Sequence, residues 1–160
     1  MNAAGLLLLR LAVAVVLLAH GSHQVFGMFG GPGVGPGGLT TTAARFSTLG
    51  LEPGYPLAVM AGTVQLAAGG LIVIGLLTRW ASIASALYLG IMIWKDQWRW
   101  GFFANWMIDP QRGHGVEMSV MLVGALMCLA LAGAGDWSID GWRARVAAAR
   151  ASGRARLRRN

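Results

Sequence analysis

Four long apolar stretches constrain this chain more than any other feature. They run from about residue 5 to 29, 56 to 77, 80 to 98 and 115 to 134. Each approaches the roughly 20 residues that an α-helix needs to cross the hydrocarbon core of a bilayer. Charged residues make up only 12% of the chain, well below the fraction usual in soluble domains. The sequence therefore predicts an all-α integral membrane protein, a four-helix bundle over residues 1–141.

The basic residues predict the orientation of these spans. Arg10 lies near the start of the first span, Arg79 lies in the short turn between the second and third spans, and an arginine-rich segment ends the chain. Because Lys and Arg are enriched in cytoplasmic segments, we expect both termini and this turn on the cytoplasmic side. The longer connections, residues 30–55 and 99–114, then lie on the outer side.

Residues 142–160 form a basic cytoplasmic tail in this interpretation. Its arginines are Arg143, Arg145, Arg150, Arg154, Arg156, Arg158 and Arg159. A basic segment can bind nucleic acid, but this one directly follows apolar spans. That position favours a cytoplasmic anchor on anionic lipid headgroups, and no nucleic-acid partner is predicted.

The first outer connection is glycine-rich between residues 27 and 38, which predicts an irregular loop. It contains a GxGxxG pattern, but no strand precedes the pattern and Pro36 interrupts it, so a dinucleotide site is not predicted. Residues 40–49 then predict a short helix, which Gly50 ends.

Small residues recur at four-residue spacing in the later spans. The two stripes are Ser82, Ala86 and Gly90 in the third span and Gly124, Cys128 and Ala132 in the fourth. Such stripes let helix backbones approach closely in lipid, so they predict helix packing and leave a homo-oligomer open. Cys128 is the only cysteine, which excludes an internal disulfide and a cysteine-rich metal site.

Polar side chains inside a bilayer are costly, so they mark candidate functional positions. His20, His23 and Gln24 share one face of the first span at helical spacing. Counting residues from the outer ends of the spans places polar residues of the other three spans at similar depths. The resulting candidate pocket at the outer mouth consists of His20, His23, Gln24, Gln65, Lys95, Asp96 and Glu117.

At the inner side, Asp136 and Asp140 follow the fourth span. Either carboxylate could neutralise Arg10, whose charge would be expensive at the lipid boundary. The sequence therefore predicts a structural ion pair between Arg10 and one of these acids.

A metal site is the weaker alternative to a hydrogen-bonded polar cluster at the outer mouth. It would use three imidazoles and one carboxylate, from His20, His23, His114 and Glu117. No pattern of a known nucleophile and base is present, so the sequence assigns no catalytic residue.

Several short segments, in this order and spacing, resemble the DoxX family of small bacterial membrane proteins. They are LLRL at residues 8–11 with HG at 20–21, GGLIVIGLLTR at 69–79, GFFANW at 101–106, GVE at 115–117 and GAGDWSID at 133–140. The resemblance covers about residues 5–141. It implies a four-helix bundle in the bacterial inner membrane.

The resemblance also implies a function, because some DoxX relatives are linked to thiosulfate:quinone oxidoreductase and others to membrane complexes that manage thiols and oxidative stress. We expect a membrane subunit or partner of a redox complex, with a quinone headgroup as the candidate cofactor near His20, Gln65 and Glu117. The alternative is a non-enzymatic protein that binds a lipid or small molecule, or anchors a soluble partner. Gln24 and Gln65 depart from the family, since many relatives have Lys and Glu there, so no charge-dependent role is implied for this pair.

Overall fold

A computed structural model describes residues 3–30, 35–109 and 111–157, with side chains up to residue 152. Within these ranges the chain has no β-strand, which confirms the all-α prediction. The helices are α1 (Ala3–Phe26), α2 (Leu39–Thr48), α3 (Gly54–Ile74), α4 (Thr78–Met92), α5 (Glu117–Ala132) and α6 (Ile139–Leu157). α4 continues as a π-helix over Ile93–Gln97 and a 3₁₀ turn over Trp98–Trp100.

Helices α1, α3, α4 and α5 coincide with the four apolar stretches. By length and composition, α1 and α3 are able to cross a membrane, and α5 is a shorter apolar helix of 16 residues. Each of these four helices exposes large apolar side chains, such as Leu8, Met60, Leu87 and Leu131. An apolar surface of this extent is characteristic of a protein whose surroundings are lipid.

The apolar helices pack in neighbouring pairs. α1 lies along α3, α3 packs on α4, α4 packs on α5, and α5 also contacts α1. Their shared core contains Leu17, Ile72, Leu126 and Leu129, all less than 2% exposed. This core holds the helices together through dispersion contacts. Below, the inner end of the helices is the end at which α1 begins and α3 finishes, and the outer end is the opposite one.

Glycine allows the close approach of α1 to α3. A Cβ at Gly69 would lie 2.8 Å from Leu18 Cγ, and one at Gly21 would lie 2.9 Å from Leu66 Cγ. The predicted packing role is wrong for Gly90 and Gly124, because a Cβ at either position would meet nothing within 4 Å. Both glycines are exposed, so they do not mediate close helix packing within this chain.

Helix α2 lies across the outer end of α3. It spans Leu39–Thr48, close to the helix predicted over residues 40–49. Phe46 is only 4% exposed and forms a second apolar cluster with Ala58, Ala61 and Met92. Of the glycine-rich connection that precedes α2, residues 31–34 lie outside the described ranges.

Candidate functional site

Arg10 is only 1% exposed although it carries a full charge. Its Nε donates to the Ile72 carbonyl at 3.0 Å, and its Nη2 donates to the Val73 carbonyl at 2.6 Å. Its Nη1 donates to the carbonyls of Ala134 and Trp137 at 3.0 and 2.8 Å. The last carbonyls of a helix have no partner within the helix and carry partial negative charge. The guanidinium therefore closes the C-terminal end of α3 and ties it to the segment after α5.

The predicted ion pair of Arg10 with Asp136 or Asp140 is wrong about the partners. The guanidinium donates to four backbone carbonyls, and the Asp136 carboxylate lies 3.7 Å from Arg145 instead. The charge of Asp140 still acts on Arg10 from nearby. Arg10 binds backbone carbonyls because the end of α3 and the segment after α5 both present carbonyl oxygens to its guanidinium.

Asp140 instead caps the start of α4. Its Oδ1 accepts from the Leu77 N–H and its Oδ2 from the Thr78 N–H, both at 3.2 Å, while its own N–H donates to the Gly75 carbonyl at 2.9 Å. A carboxylate satisfies the unpaired donors of a first helical turn and opposes the helix dipole. Gly75 has a φ of 68°, and a Cβ there would lie 2.6 Å from Arg10 Nη2, so this turn requires glycine. We call these groups, centred on Arg10 and Asp140, the inner polar cluster.

A second polar group, partly buried, links α1 to α4 beside Gln65 of α3. Gln24 Nε2, from α1, donates to the Tyr88 hydroxyl of α4 at 2.8 Å. The Gln65 side chain of α3 lies beside the Tyr88 hydroxyl. We call these three side chains the glutamine–tyrosine chain.

The glutamine–tyrosine chain is incompletely satisfied. Gln65 is only 2% exposed, yet its amide nitrogen has no hydrogen-bond partner, and the amide oxygen of Gln24 also has none. A buried polar atom without a partner costs about 1–3 kcal/mol. The chain thus has an unused donor at one end and an unused acceptor at the other.

Charged residues lie next to this chain. Asp96, in the π-helix, is 4% exposed and forms ion pairs with Arg45 of α2 and, at 3.4 Å, with Arg99. The charges of Asp96 and Arg45 both act on the Tyr88 hydroxyl. A π-helical turn often occurs at a functional site because it redirects a side chain out of the regular helical register.

Helix α2 covers the glutamine–tyrosine chain. Thr42 Oγ1 donates to the Gln24 carbonyl at 3.2 Å, Arg45 binds Asp96, and Phe46 is buried against α3. Three contacts of different kinds therefore fix α2 over the outer ends of α1, α3 and α4.

The other members of the predicted outer pocket have separate surroundings. His20 is exposed on the surface of α1. His23 Nδ1 lies 2.9 Å from the Met28 carbonyl, and Lys95 Nζ lies 4.7 Å above the Trp94 ring. Of the seven predicted residues, Gln24 and Gln65 lie beside Tyr88, and Asp96 lies nearby.

Glu117 organises the outer connection between α4 and α5. Its Oε2 accepts from the Ala104 N–H at 3.0 Å and from Trp106 Nε1 at 3.3 Å. His114 Nδ1 accepts from the Asn105 N–H at 3.3 Å. Over the described ranges, no three His, Cys, Asp or Glu side chains are grouped so that they could hold a metal ion. The alternative site of His20, His23, His114 and Glu117 is therefore not assembled.

The sequence analysis did not predict Tyr88, which belongs to the glutamine–tyrosine chain, or Arg45, which pairs with Asp96 next to it. The chain has only two tyrosines, and Tyr88 is the one inside an apolar stretch, which was the available signal. Arg45 lies in the connection between the first two apolar stretches, and its partner Asp96 follows only from the position of α2 against the π-helix. Both residues connect helices that are far apart in sequence, and such contacts have no local sequence signal.

Comparison with known proteins gives one family match. The family model for DoxX matches residues 5–98 of this chain, a segment that includes α1, α3, α4 and the residues of the glutamine–tyrosine chain. No curated protein and no solved structure matches the chain. The family match confirms the resemblance to the DoxX family, and the apolar helices agree with it. The motifs at residues 101–106, 115–117 and 133–140 lie outside the matched segment. The chain belongs to the DoxX family of membrane proteins.

Proposed function

We propose that α1, α3, α4 and α5 each cross a bacterial inner membrane, with both chain termini in the cytoplasm. The pairwise packing of these helices and their exposed apolar side chains support four spans. Arg79 and the arginines of α6 belong to one end of this arrangement, as the positive-inside bias requires. A reporter active only in the periplasm should give no signal when fused after residue 160 and a clear signal when inserted between residues 107 and 109. A strong signal from the C-terminal fusion would contradict this topology.

Within this frame, we propose that the protein is a quinone-binding membrane partner of a redox complex. The observation that carries the proposal is the glutamine–tyrosine chain, with its free amide N–H on Gln65 and its free amide oxygen on Gln24. A quinone headgroup offers carbonyl acceptors, and its reduced form offers hydroxyl donors. The two unused groups of the chain match both forms, and apolar spans around them suit an isoprenoid tail.

Asp96 and its two arginines add a charged group beside the proposed headgroup site. The ion pairs with Arg45 and Arg99 hold the Asp96 carboxylate in place. In this position it can orient the Tyr88 hydroxyl by its charge. The proposal assigns no bond-making step to this residue.

The test is quinone binding to the purified full-length protein in detergent. A short-chain benzoquinone should quench the fluorescence of the protein's tryptophans in a saturable way. Gln65→Leu should remove most of this binding, and Tyr88→Phe should weaken it about fivefold, the equivalent of one hydrogen bond of about 1 kcal/mol. Gln111→Leu is the matched control, because Gln111 is an exposed glutamine of the outer connection.

Two results would overturn the proposal. One is an absence of saturable quenching by the benzoquinone together with a quinone-free organic extract of the purified protein. The other is equal binding by wild type, Gln65→Leu and Gln111→Leu, since the quinone would then be dissolving in the detergent rather than occupying the chain.

A second function, anchoring a soluble partner on the cytoplasmic side, has support from α6. This helix follows the inner polar cluster and exposes Arg143, Arg145 and Arg150. The side chains of Arg154, Arg156, Arg158 and Arg159 lie outside those the structure describes. Arginines near an anionic leaflet contribute roughly 1 kcal/mol each before screening. A colourless, quinone-free preparation that retains a soluble redox enzyme would favour this role over quinone binding.

A further inference from the structure

We propose that a cavity at the inner end of the bundle binds the phosphate group of an anionic phospholipid. The cavity measures about 620 Å³ and lies between the start of α4, the end of α5 and one side of α6. Its walls include Arg79, Trp80, Gly133, Asp136 and Arg145. No residue of the glutamine–tyrosine chain lines this cavity, so the proposal does not depend on quinone binding.

Arg79 supplies the first cationic wall. Its side chain is exposed and has no hydrogen bond or ion pair with any residue that the structure describes. The guanidinium lies against Gly133, where a Cβ would be 3.3 Å from Arg79 Nε. Gly133 has a φ of 80°, so its backbone conformation also favours glycine. The contact with Gly133 therefore positions the Arg79 side chain, and the N–H groups of its guanidinium remain available to a ligand.

Arg145 supplies the second cationic wall, from α6. Its Nη1 donates to the Asp136 carbonyl at 2.9 Å and lies 3.7 Å from the Asp136 carboxylate. The carboxylate side chain is 80% exposed, so this ion pair is long and solvent-screened. A phosphate between Arg79 and Arg145 would replace that weak contact with charge-assisted hydrogen bonds.

The acids of the cavity do not cancel its attraction for an anion. Both carboxylate oxygens of Asp140 accept backbone N–H groups of α4, and the charge of Asp140 acts on Arg10. Asp136 is the acid that competes for Arg145. Its replacement by asparagine should therefore strengthen phosphate binding.

The apolar rim of the cavity favours a lipid over a free anion. Trp80 is 71% exposed and Leu77 is 50% exposed, both at the start of α4. Tryptophan prefers the membrane interface, where headgroups meet acyl chains. Ala144 and Ala148 of α6 also line the cavity and leave room beside the arginines. Basic pockets between helices at the cytoplasmic surface are typical sites for anionic headgroups.

The test is a titration of full-length protein in neutral detergent with dioctanoyl-phosphatidylglycerol, followed by thermal stabilisation and tryptophan fluorescence. We expect saturable binding that Arg79→Gln and Arg145→Gln each weaken about tenfold, as loss of a charge-assisted contact predicts. Asp136→Asn should tighten it severalfold. Arg143→Gln is the matched control, because Arg143 is an exposed arginine of the same helix that does not line the cavity.

The other arms separate the sources of phosphate. Dioctanoyl-phosphatidylcholine should bind much more weakly, and inorganic phosphate should compete only at far higher concentration. Inorganic phosphate that competes as well as the lipid would overturn the lipid assignment. If Arg79→Gln and Arg143→Gln lost the same amount of phosphatidylglycerol binding, and unfolding curves showed that both variants are folded, the proposed site would be wrong. Loss of quinone binding in Gln65→Leu would not change the results expected for lipid binding at this cavity.

Discussion

The inner polar cluster and the glutamine–tyrosine chain bury polar groups in opposite ways. At the inner end, Arg10 uses four hydrogen bonds to carbonyls, and Asp140 uses both oxygens on backbone N–H groups. In the outer half, Gln24 and Gln65 each keep one amide atom without a partner. The fully charged groups are thus the better satisfied, and the neutral ones are left incomplete.

This difference separates structural polarity from polarity available to a ligand. A buried charge without partners would destabilise the fold strongly, so the inner cluster must be complete for the helices to assemble. A neutral amide with one empty position costs less and can be filled by a ligand or a water molecule. Buried hydroxyls of Thr78, Ser82 and Ser85 also lack partners. They follow one face of α4 from the inner turn towards Tyr88, so the incomplete region extends along that helix.

The largest effect should come from Arg10→Leu. This change removes the Arg10 donors from the carbonyls of Val73, Ala134 and Trp137 and leaves the Ile72 carbonyl only the Gly75 N–H. Each carbonyl left buried without a donor costs about 1–3 kcal/mol. We expect a loss of about 2–6 kcal/mol in the free energy of unfolding, measured by thermal or denaturant unfolding in detergent. Arg10→Lys should lie between wild type and Arg10→Leu, because one ammonium cannot reach carbonyls spread around a planar fork.

The control for this loss is Arg143→Leu, since Arg143 is exposed on α6. Equal stability of the two leucine variants would contradict the stabilising role of Arg10 in the inner polar cluster. It would mean that the carbonyls around Arg10 find other partners at no cost.

A smaller effect should follow from Asp140→Asn. The amide keeps one acceptor for the Leu77 and Thr78 N–H groups but loses the charge that opposes the α4 dipole and faces Arg10. We expect a loss of about 1 kcal/mol, typical of a helix cap. Asp136→Asn, at an 80% exposed carboxylate, should change the unfolding free energy little. The reverse order of the two variants would show that Asp140 is not a cap.

The helices could be predicted from the sequence, whereas their contacts could not. Apolar length located α1, α3, α4 and α5, and turn residues located α2, because both signals are local. Arg10 was recognised as buried and structural, but its partners are backbone carbonyls of residues 72 and beyond, which no side-chain pattern reveals. Tyr88 was missed because it lies within an apolar stretch and acts only through glutamines of two other helices.

The smallest stability effect, and the sharpest test of the contrast, should come from Gln65→Leu. Leucine is close to glutamine in volume, removes an unpartnered buried nitrogen and leaves the Tyr88 hydroxyl with its bond from Gln24. Gains and losses should nearly cancel, so the unfolding free energy should stay within about 1 kcal/mol of wild type or rise. Benzoquinone quenching, measured on the same samples, should nevertheless be lost. If Gln65→Leu destabilised the bundle as much as Arg10→Leu, the glutamine–tyrosine chain would be a structural element of the same kind as the inner polar cluster. The empty positions on Gln24 and Gln65 would then no longer indicate a binding site.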